Sequence, residues 1–295
     1  MKKVIAIVGP TAVGKTALSL DVAKAVGGEI ISADSRQVYR GLDIGSGKIK
    51  PSEMLDVPHH LLDVADPREI FTVADYVRIA NEALENIHRR GKVSVIVGGA
   101  GFYVDTLLGR MTIAEVPPDP ELREQLEGVD IEFLQETLKK LDPRRYASID
   151  LKNPHRLIRA IEIARSVDRI ESTTMINHSS YEILWIGLTL PKEKLRGRIH
   201  ERLLARLDAG MLYEAKRLHA GGLSYERMEE LGLEYRFMAR HLQEKLSYEE
   251  MAVELEKEIS RYAKRQMTWF KRNKEIIWFN PLEKSKILKL IKNFL

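Results

Sequence analysis

The fold is indicated by residues 3–16, which read Lys3-Val4-Ile5-Ala6-Ile7-Val8-Gly9-Pro10-Thr11-Ala12-Val13-Gly14-Lys15-Thr16. Residues 3–8 form a short apolar run that Gly9-Pro10 ends, and this pattern predicts a buried strand. Residues 9–16 match G-x-x-x-x-G-K-[ST], and a helical pattern follows over residues 17–26. A strand, a glycine-rich loop and a helix in this order are typical of a phosphate-binding loop in a parallel α/β sheet.

The residue types in this loop suit a chain of phosphate groups and a magnesium ion. We expect the backbone N–H groups and the helix N-terminus to face phosphate oxygens. Lys15 is expected to reach the outer phosphate, and the Thr16 hydroxyl to ligate Mg²⁺. The predicted phosphate-binding residues are Gly9, Pro10, Thr11, Ala12, Val13, Gly14, Lys15 and Thr16. The pattern is commonly labelled ATP-binding, but it does not distinguish ATP from another pyrophosphate.

The rest of the chain alternates strands and helices around a helical insertion. Further strands are predicted at residues 29–32, 93–97, 183–188 and 276–279, and further helices at 73–90, 192–207, 213–218, 248–272 and 283–294. Residues 121–166 show only helical patterns, broken at Gly128, Asp142-Pro143 and Asn153-Pro154. The sequence therefore predicts an α/β fold with a P-loop parallel-sheet core, residues 1–112 and 183–295, and a helical insertion domain at residues 113–182.

Composition excludes several kinds of protein. The chain has 295 residues, of which 44% are apolar, so we expect a packed core and either about two domains or one large domain with an insertion. It has no cysteine, which excludes disulfides, thiolate nucleophiles, iron–sulfur clusters and cysteine-bound zinc. Its apolar runs are far shorter than the ~20 residues that a membrane helix needs. We therefore expect a cytoplasmic protein with no membrane partner, and we expect it to act as a monomer.

Positive charge is concentrated in the last third of the chain. Residues 192–295 hold 23 Lys and Arg against 16 Asp and Glu, although the net charge of the whole chain is only +4. Residues 257–274 interleave basic residues with Tyr262, Trp269 and Phe270. This pattern is typical of RNA binding, but a solvated helix face whose aromatic residues anchor it to the core explains it equally well.

Other candidate site residues follow a strand or share a helix face. Asp34 follows the second strand, where ligands of open α/β sheets collect, and three roles are open to it: Mg²⁺ ligand, general base or helix cap. Arg198, Arg202 and Arg206 recur on one helix face, either as solvated charges or as a clamp for a pyrophosphate. His59-His60 is interpreted as a hydrogen-bonded loop pair rather than a metal site.

Five segments, in order, resemble the tRNA dimethylallyltransferase family. They are residues 9–16, Asp34-Ser35-Arg36-Gln37-Val38-Tyr39-Arg40-Gly41-Leu42-Asp43-Ile44-Gly45, Val57-Pro58-His59-His60-Leu61, residues 97–103, and Lys264-Arg265-Gln266-Met267-Thr268-Trp269-Phe270. The likeness covers essentially the whole chain, and without cysteines for a zinc finger it is of the bacterial type. It implies transfer of a dimethylallyl (isopentenyl) group from dimethylallyl diphosphate, with Mg²⁺ as cofactor. The acceptor would be N6 of the adenosine 3′ to the anticodon of tRNA, position 37, and the products N6-isopentenyladenosine and pyrophosphate.

The resemblance also implies roles for particular residues. Thr11, Lys15 and Arg202 would act on the pyrophosphate of the donor, with Thr16 as the metal ligand, and Asp34 would accept the N6 proton. The implied tRNA-binding residues are Asp34, Ser35, Arg36, Gln37, Ala100, Arg123, His155, Arg156, Leu157, Ile158 and Arg159. Ala100 stands where the family usually has threonine. The helical insertion would bind the anticodon stem-loop.

Three other functions remain open at this stage. A small-molecule P-loop kinase would need an adenine pocket, which the sequence does not show, and the strand at 93–97 ends in Gly98-Gly99 rather than an acid. An isopentenyltransferase acting on free adenine nucleotides would have little use for the insertion or the basic last third. A non-enzymatic RNA-binding protein that senses nucleotide would not need Asp34 for chemistry.

Overall fold

The computed structural model describes residues 2–114, 116–166 and 181–295. Its strands are β1 (Lys2–Val8), β2 (Glu29–Ala33), β3 (His59–His60), β4 (Ser94–Gly98), β5 (Tyr181–Leu188) and β6 (Ile277–Phe279). They form one parallel sheet in the order β3-β2-β4-β1-β5-β6. The helices are α1 (Lys15–Val26), α2 (Val73–Arg89), α3 (Gly101–Leu107), α4 (Pro120–Leu126), α5 (Ile131–Leu141), α6 (Pro143–Tyr146), α7 (Pro154–Ser166), α8 (Lys192–Asp208), α9 (Met211–Ala220), α10 (Tyr225–Leu231), α11 (Leu233–Leu242), α12 (Tyr248–Phe270) and α13 (Lys284–Phe294). Within the described ranges, no helix has the length and hydropathy required to cross a bilayer.

The central strand β1 is apolar because helices cover both faces of the sheet. It pairs with β4 on one side and β5 on the other, and the register aligns Val8 with Gly98 and Gly187. Alternate residues of β1 pack against α2 and α3 on one face and against α1 and α13 on the other. Burial on both faces explains the continuous apolar run that predicted this strand.

The carboxyl ends of β1, β2 and β4 meet at one edge of the sheet. Ala33 pairs with Gly98, and the Ala33 carbonyl accepts the backbone N–H of Ala100 at 3.2 Å. A Cβ atom at Gly98 would lie 2.0 Å from the Ala33 oxygen, so the close approach of the two chains requires glycine there. The loops that follow these three strands therefore border the same space, as in other open α/β sheets.

The predicted α/β fold is confirmed, and the boundaries of the predicted elements shift by one or two residues. His59–His60, predicted as a loop, is instead a two-residue strand at the edge of the sheet. The helices α3, α10 and α11 are not predicted from the sequence. Each of them spans ten residues or fewer, and α10 meets α11 at Gly232, so hydrophobic periodicity is too short there to separate two helices.

The chain divides into two compact units, Met1–Met111 with His178–Leu295 and Thr112–Asn177. In the second unit α4 to α7 are separated at the predicted breaks. Their core consists of Leu122, Leu126, Leu134, Leu138, Leu157, Ala160 and Ile161. Because β5 begins at Tyr181, the last two residues of the predicted insertion belong to the sheet, and residues 167–180 of that insertion lie outside the described ranges.

Candidate active site

The loop between β1 and α1 has the backbone that its sequence requires. Gly9 and Gly14 have φ values of 146° and 108°, which side chains rarely tolerate. A Cβ atom at Gly9 would also lie 2.6 Å from the Leu188 oxygen. Gly14 is the N-cap of α1 and has no side chain to accept from the first N–H groups of the helix, and no side chain of the described residues hydrogen-bonds to the N–H groups of Lys15, Thr16 or Ala17. These open N–H groups give the loop the partial positive charge that attracts an anion.

Lys15 is held inside the loop by backbone oxygens. Its Nζ atom donates hydrogen bonds to the Gly9 oxygen at 2.9 Å and to the Pro10 oxygen at 2.7 Å. Burial lowers the pKa of the Lys15 ammonium from 10.5 to about 7; the Arg202 guanidinium also lowers it, and Asp34 partly opposes both. An anion placed beside this ammonium would stabilise its charged form, so Lys15 is suited to bind a phosphate group.

A cavity of about 410 Å³ lies at the carboxyl edge of the sheet. The predicted site residues that line it are Thr11, Ala12, Gly14, Lys15, Thr16, Asp34, Gln37 and Arg202. The Val13 side chain is fully buried in the core, so only its backbone is available to a ligand. The structure thus brings the phosphate-loop residues together with Asp34 and Arg202, which are far apart in the sequence.

Asp34 both caps a turn and faces the cavity. Its Oδ1 atom accepts the backbone N–H groups of Arg36, at 2.8 Å, and Gln37, at 3.3 Å. Among the described residues, no hydrogen bond ends on Asp34 Oδ2. The turn therefore orients the carboxylate with one oxygen occupied and the other left for a ligand, which is compatible with a cap and with a base.

The three arginines of α8 donate hydrogen bonds to different groups. Arg202 lines the cavity and donates to the Gly47 oxygen at 3.4 Å. Arg198 donates to the Val13 oxygen at 3.1 Å. Arg206 pairs with the carboxylate of Glu234 at 3.0 Å. Of these three residues, Arg202 is the one that lines the cavity.

Gln266 connects two edges of the cavity and was not singled out as a site residue from the sequence. It lies on α12, is 6% exposed and lines the cavity. Its Oε1 accepts the Thr11 N–H at 2.8 Å, and its Nε2 donates to the Gly99 oxygen at 2.9 Å. A signal for it exists in the sequence, because Gln266 interrupts the helical apolar stripe between Ala263 and Phe270.

The oxygen atoms around the cavity fit Mg²⁺ as a partner of a bound diphosphate. Mg²⁺ prefers a few hard protein oxygens together with phosphate oxygens and water. The Thr16 hydroxyl and the Asp34 carboxylate line the cavity with Lys15. Within the described residues there is no cluster of three His, Asp or Glu side chains that would hold a metal by itself. Thr16 would therefore bind the ion only together with a phosphate ligand.

The predicted hydrogen-bonded pair His59-His60 is confirmed, although it forms a strand. His59 Nδ1 contacts the Val57 oxygen at 2.8 Å, and His60 Nε2 contacts the Glu29 carboxylate at 2.8 Å. Burial also lowers the pKa of the His59 imidazole, which favours its neutral form. His60 thus joins β3 to the adjacent strand β2.

The helical unit uses two of its predicted tRNA-binding arginines internally. Arg123 makes two hydrogen bonds, at 2.9 and 3.0 Å, to the carboxylate of Glu162, and Arg159 also pairs with Glu162. The Glu162 side chain is 0% exposed. Its burial raises its pKa, but the hydrogen bonds from Arg123, Asp119 and Arg159 outweigh this and lower it overall. The structure therefore gives Arg123 and Arg159 a role in holding this unit together.

The other predicted residues of this unit divide by burial. The Leu157 side chain is fully buried in the core, so only the backbone of this predicted tRNA-binding residue is available to RNA. Ile158 is half-buried and packs against the same core. His155 is exposed, and the Arg156 side chain is 60% exposed with one long contact, 3.5 Å, to Asp150. His155 and Arg156 are thus the two side chains of this segment that face solvent.

The fold and site define an α/β protein with a phosphate-loop motif at the carboxyl edge of a parallel sheet. A family model described as IPP transferase matches residues 37–273, which is well over half of the chain. The chain belongs to this family. The matched region begins after the phosphate loop, so the family match and the loop motif are separate observations.

Curated relatives and solved structures agree with this assignment. The chain is 46% identical over 268 residues to tRNA dimethylallyltransferase 1 of Geotalea daltonii, covering 91% of this chain and 86% of the relative. It is similar to the structure of the full-length tRNA isopentenylpyrophosphate transferase of Bacillus halodurans, with a TM-score of 0.75 and 37% identity. The match covers 99% of this chain and 96% of the Bacillus halodurans chain. It is also similar to the structure of a eukaryotic dimethylallyltransferase acting on tRNA, with a TM-score of 0.74 and 28% identity. This match covers 92% of this chain and 70% of the eukaryotic chain.

Proposed function

We propose that this protein is an enzyme that transfers a dimethylallyl group to tRNA. Its family and the names of its curated relatives support this reaction. We further propose that dimethylallyl diphosphate is the donor and that N6 of adenosine 37 is the acceptor. The observation that carries the proposal is that Lys15, Arg202 and Asp34 line the same cavity. Two cations for a leaving pyrophosphate and one carboxylate for a proton are the groups that this alkyl transfer needs.

The cations act on the leaving group. As the bond between C1 of the dimethylallyl group and the bridging oxygen breaks, its electron pair passes to the pyrophosphate. Lys15, Arg202 and the open N–H groups of the loop stabilise that developing charge. The Thr16 hydroxyl, with the diphosphate, would hold Mg²⁺, and the bound ion would supply further positive charge to the leaving oxygens.

Asp34 acts on the acceptor. The N6 lone pair of adenine is delocalised into the ring, so the amine attacks C1 well only if it loses a proton as the new bond forms. Asp34 Oδ2 would take that proton, because Oδ1 already accepts the two N–H groups of its turn. The product is N6-isopentenyladenosine, and the target base must leave the stacked anticodon loop to reach the cavity.

The tRNA is proposed to bind exposed cations on both units. The exposed basic residues at the end of α12 and just after it are Lys257, Arg261, Lys264, Arg265, Lys271, Arg272 and Lys274. In the helical unit Arg156 is the exposed cation of the segment that the sequence predicted to contact the anticodon stem-loop. Such cations bind phosphates without reading sequence.

The proposal is tested with an unmodified anticodon stem-loop that carries adenosine at position 37. It is incubated with labelled dimethylallyl diphosphate and Mg²⁺ without ATP, and the nucleosides are analysed. We expect labelled N6-isopentenyladenosine, and no label in a matched stem-loop with guanosine at that position. Transfer to free AMP but not to the stem-loop would contradict the proposed acceptor, and a requirement for ATP would contradict the proposed donor.

A further inference from the structure

One buried carboxylate supports the loop of residues 41–48, which contributes part of the cavity wall. Glu214 lies on α9 and is 3% exposed. Its carboxylate accepts hydrogen bonds from three consecutive backbone N–H groups, those of Asp43, Ile44 and Gly45, at 3.0, 2.7 and 3.0 Å. Successive N–H groups that converge in this way form an anion-binding turn, and here the anion is a side chain of the protein itself.

A fourth donor completes the surroundings of this carboxylate. The Tyr235 hydroxyl donates to Glu214 Oε1 at 2.9 Å. Burial, with the nearby Glu214 charge, raises the pKa of Tyr235 well above 10, so the phenol keeps its proton and remains a donor. A buried carboxylate is tolerated only when its oxygens are satisfied, and four donors achieve this. The loop thus satisfies the buried Glu214 carboxylate, and the carboxylate holds the conformation of the loop.

The other side of the same loop contacts the arginines of α8. The Gly45 oxygen accepts a hydrogen bond from Arg206 at 2.7 Å, and the Gly47 oxygen accepts one from Arg202 at 3.4 Å. Gly47 has a φ of 63°, and a Cβ atom there would lie 2.1 Å from Arg202 Nη2. The loop and the Arg202 guanidinium are therefore in close contact, and a displacement of the loop would displace Arg202.

We propose that Glu214 is a positioning residue that acts through residues 43–47 to hold Arg202 against the diphosphate. Glu214 does not line the cavity, and its four hydrogen bonds all end within the protein. The proposal rests on the proposed function in one respect, the assignment of Arg202 to the diphosphate. It adds to the donor site a residue that lies outside the motifs and does not border the cavity.

Affinity for inorganic pyrophosphate, measured by calorimetry with Mg²⁺, tests this proposal without requiring transfer. Glu214→Gln keeps the shape but places an amide NH₂ against backbone N–H donors, and we expect at least tenfold weaker binding. Tyr235→Phe is the matched control: it removes one hydrogen bond from Glu214 and leaves the three loop amides bonded, so we expect affinity within about threefold of wild type. Equal losses in both variants, or no loss in Glu214→Gln, would overturn the proposal.

Coupling to Arg202 separates positioning from general damage to the fold. If Glu214 acts through Arg202, then Glu214→Gln should cost less than threefold in an Arg202→Ala background, although it costs tenfold in wild type. If the loss of affinity in the double variant instead equals the product of the losses in the two single variants, the proposal is refuted. If Glu214→Gln does not fold, Glu214→Asp takes its place. This variant keeps the charge but shortens the side chain, and its effect is compared in the wild-type and Arg202→Ala backgrounds with the same criteria.

These measurements also distinguish this inference from the proposed function. A wild-type protein that binds pyrophosphate with the predicted coupling but transfers nothing to tRNA would refute the proposed function and leave the role of Glu214 standing. A wild-type protein that transfers the dimethylallyl group but shows no coupling between Glu214 and Arg202 would refute only the role of Glu214. Failure of the wild-type protein to bind pyrophosphate at all would overturn both.

Discussion

Raising the pH should weaken binding of the diphosphate donor because it removes the proton of Lys15. The pKa of this ammonium is lowered to about 7, mainly by burial. At pH 9 only about one in a hundred of these side chains therefore carries its charge before the donor binds. A bound diphosphate restores the charged form, so above pH 7 each binding event must take up a proton. The dissociation constant should then rise about fivefold from pH 7 to pH 8 and about ninefold from pH 8 to pH 9, or about fiftyfold over the two units.

The stability of the protein should respond to pH in the opposite direction. Since the folded pKa of Lys15 lies below its unfolded value of 10.5, the unfolded chain binds more protons between about pH 7 and pH 10.5. The contribution of this group to the free energy of unfolding therefore increases as pH rises through that window, and is least favourable below pH 7. Loss of donor binding at pH 9 consequently cannot be ascribed to unfolding through Lys15.

Titration calorimetry in buffers of different ionisation enthalpy measures both the affinity and the number of protons taken up. Lys15→Arg is the control, because a guanidinium stays charged over the whole range. The pH dependence of the dissociation constant of this variant then reports the ionisation of the ligand and of every group other than Lys15. We expect about one additional proton taken up by the wild-type protein at pH 8.5. Identical slopes for the wild-type protein and the arginine variant would refute the assignment of this proton to Lys15.

Three further predictions concern other residues of the site and of the helical unit. Asp34→Asn should lower single-turnover transfer by ~10²–10⁴ while tRNA affinity stays within about threefold, whereas a residue that only caps its turn predicts almost no change, since Asn caps as well as Asp. Gln266→Glu should raise the KM for the donor by at least tenfold, because it removes a donor and adds negative charge beside the phosphate loop; Gln266→Met removes both hydrogen bonds without the charge, and an equal effect of the two variants would exclude the electrostatic part. Arg156→Ala should reduce the slope of log tRNA affinity against log salt concentration by the equivalent of about one phosphate contact, without changing Tm. Arg123→Ala should lower Tm, because the guanidinium of Arg123 pairs with the buried carboxylate of Glu162. A lowered Tm for Arg156→Ala, or an unchanged Tm for Arg123→Ala, would contradict these assignments.

Much of the fold could be predicted from the sequence because its signals are local. A run of five apolar residues after Lys3 indicates a strand buried on both faces, and Pro143 and Pro154 indicate where helices begin. The phosphate loop is equally local, since its glycines are required by backbone conformation within eight residues. These features depend on sterics and periodicity along the chain, which the order of residues determines by itself.

The partners of the charged side chains were decided only by the tertiary structure. Arg123 and Arg156 are both arginines of one helical unit, yet the first pairs with buried Glu162 and the second faces solvent. Glu214 lies 169 residues from Gly45, whose N–H it accepts, and Gln266 lies 255 residues from Thr11. Nothing in the spacing of such residues encodes their contact, because a hydrogen bond between distant residues exists only after packing has placed their elements side by side. The sequence by itself therefore determined the α/β class, the phosphate loop and the family likeness, whereas the packing of α8, α9 and α12 decided which side chains complete the site.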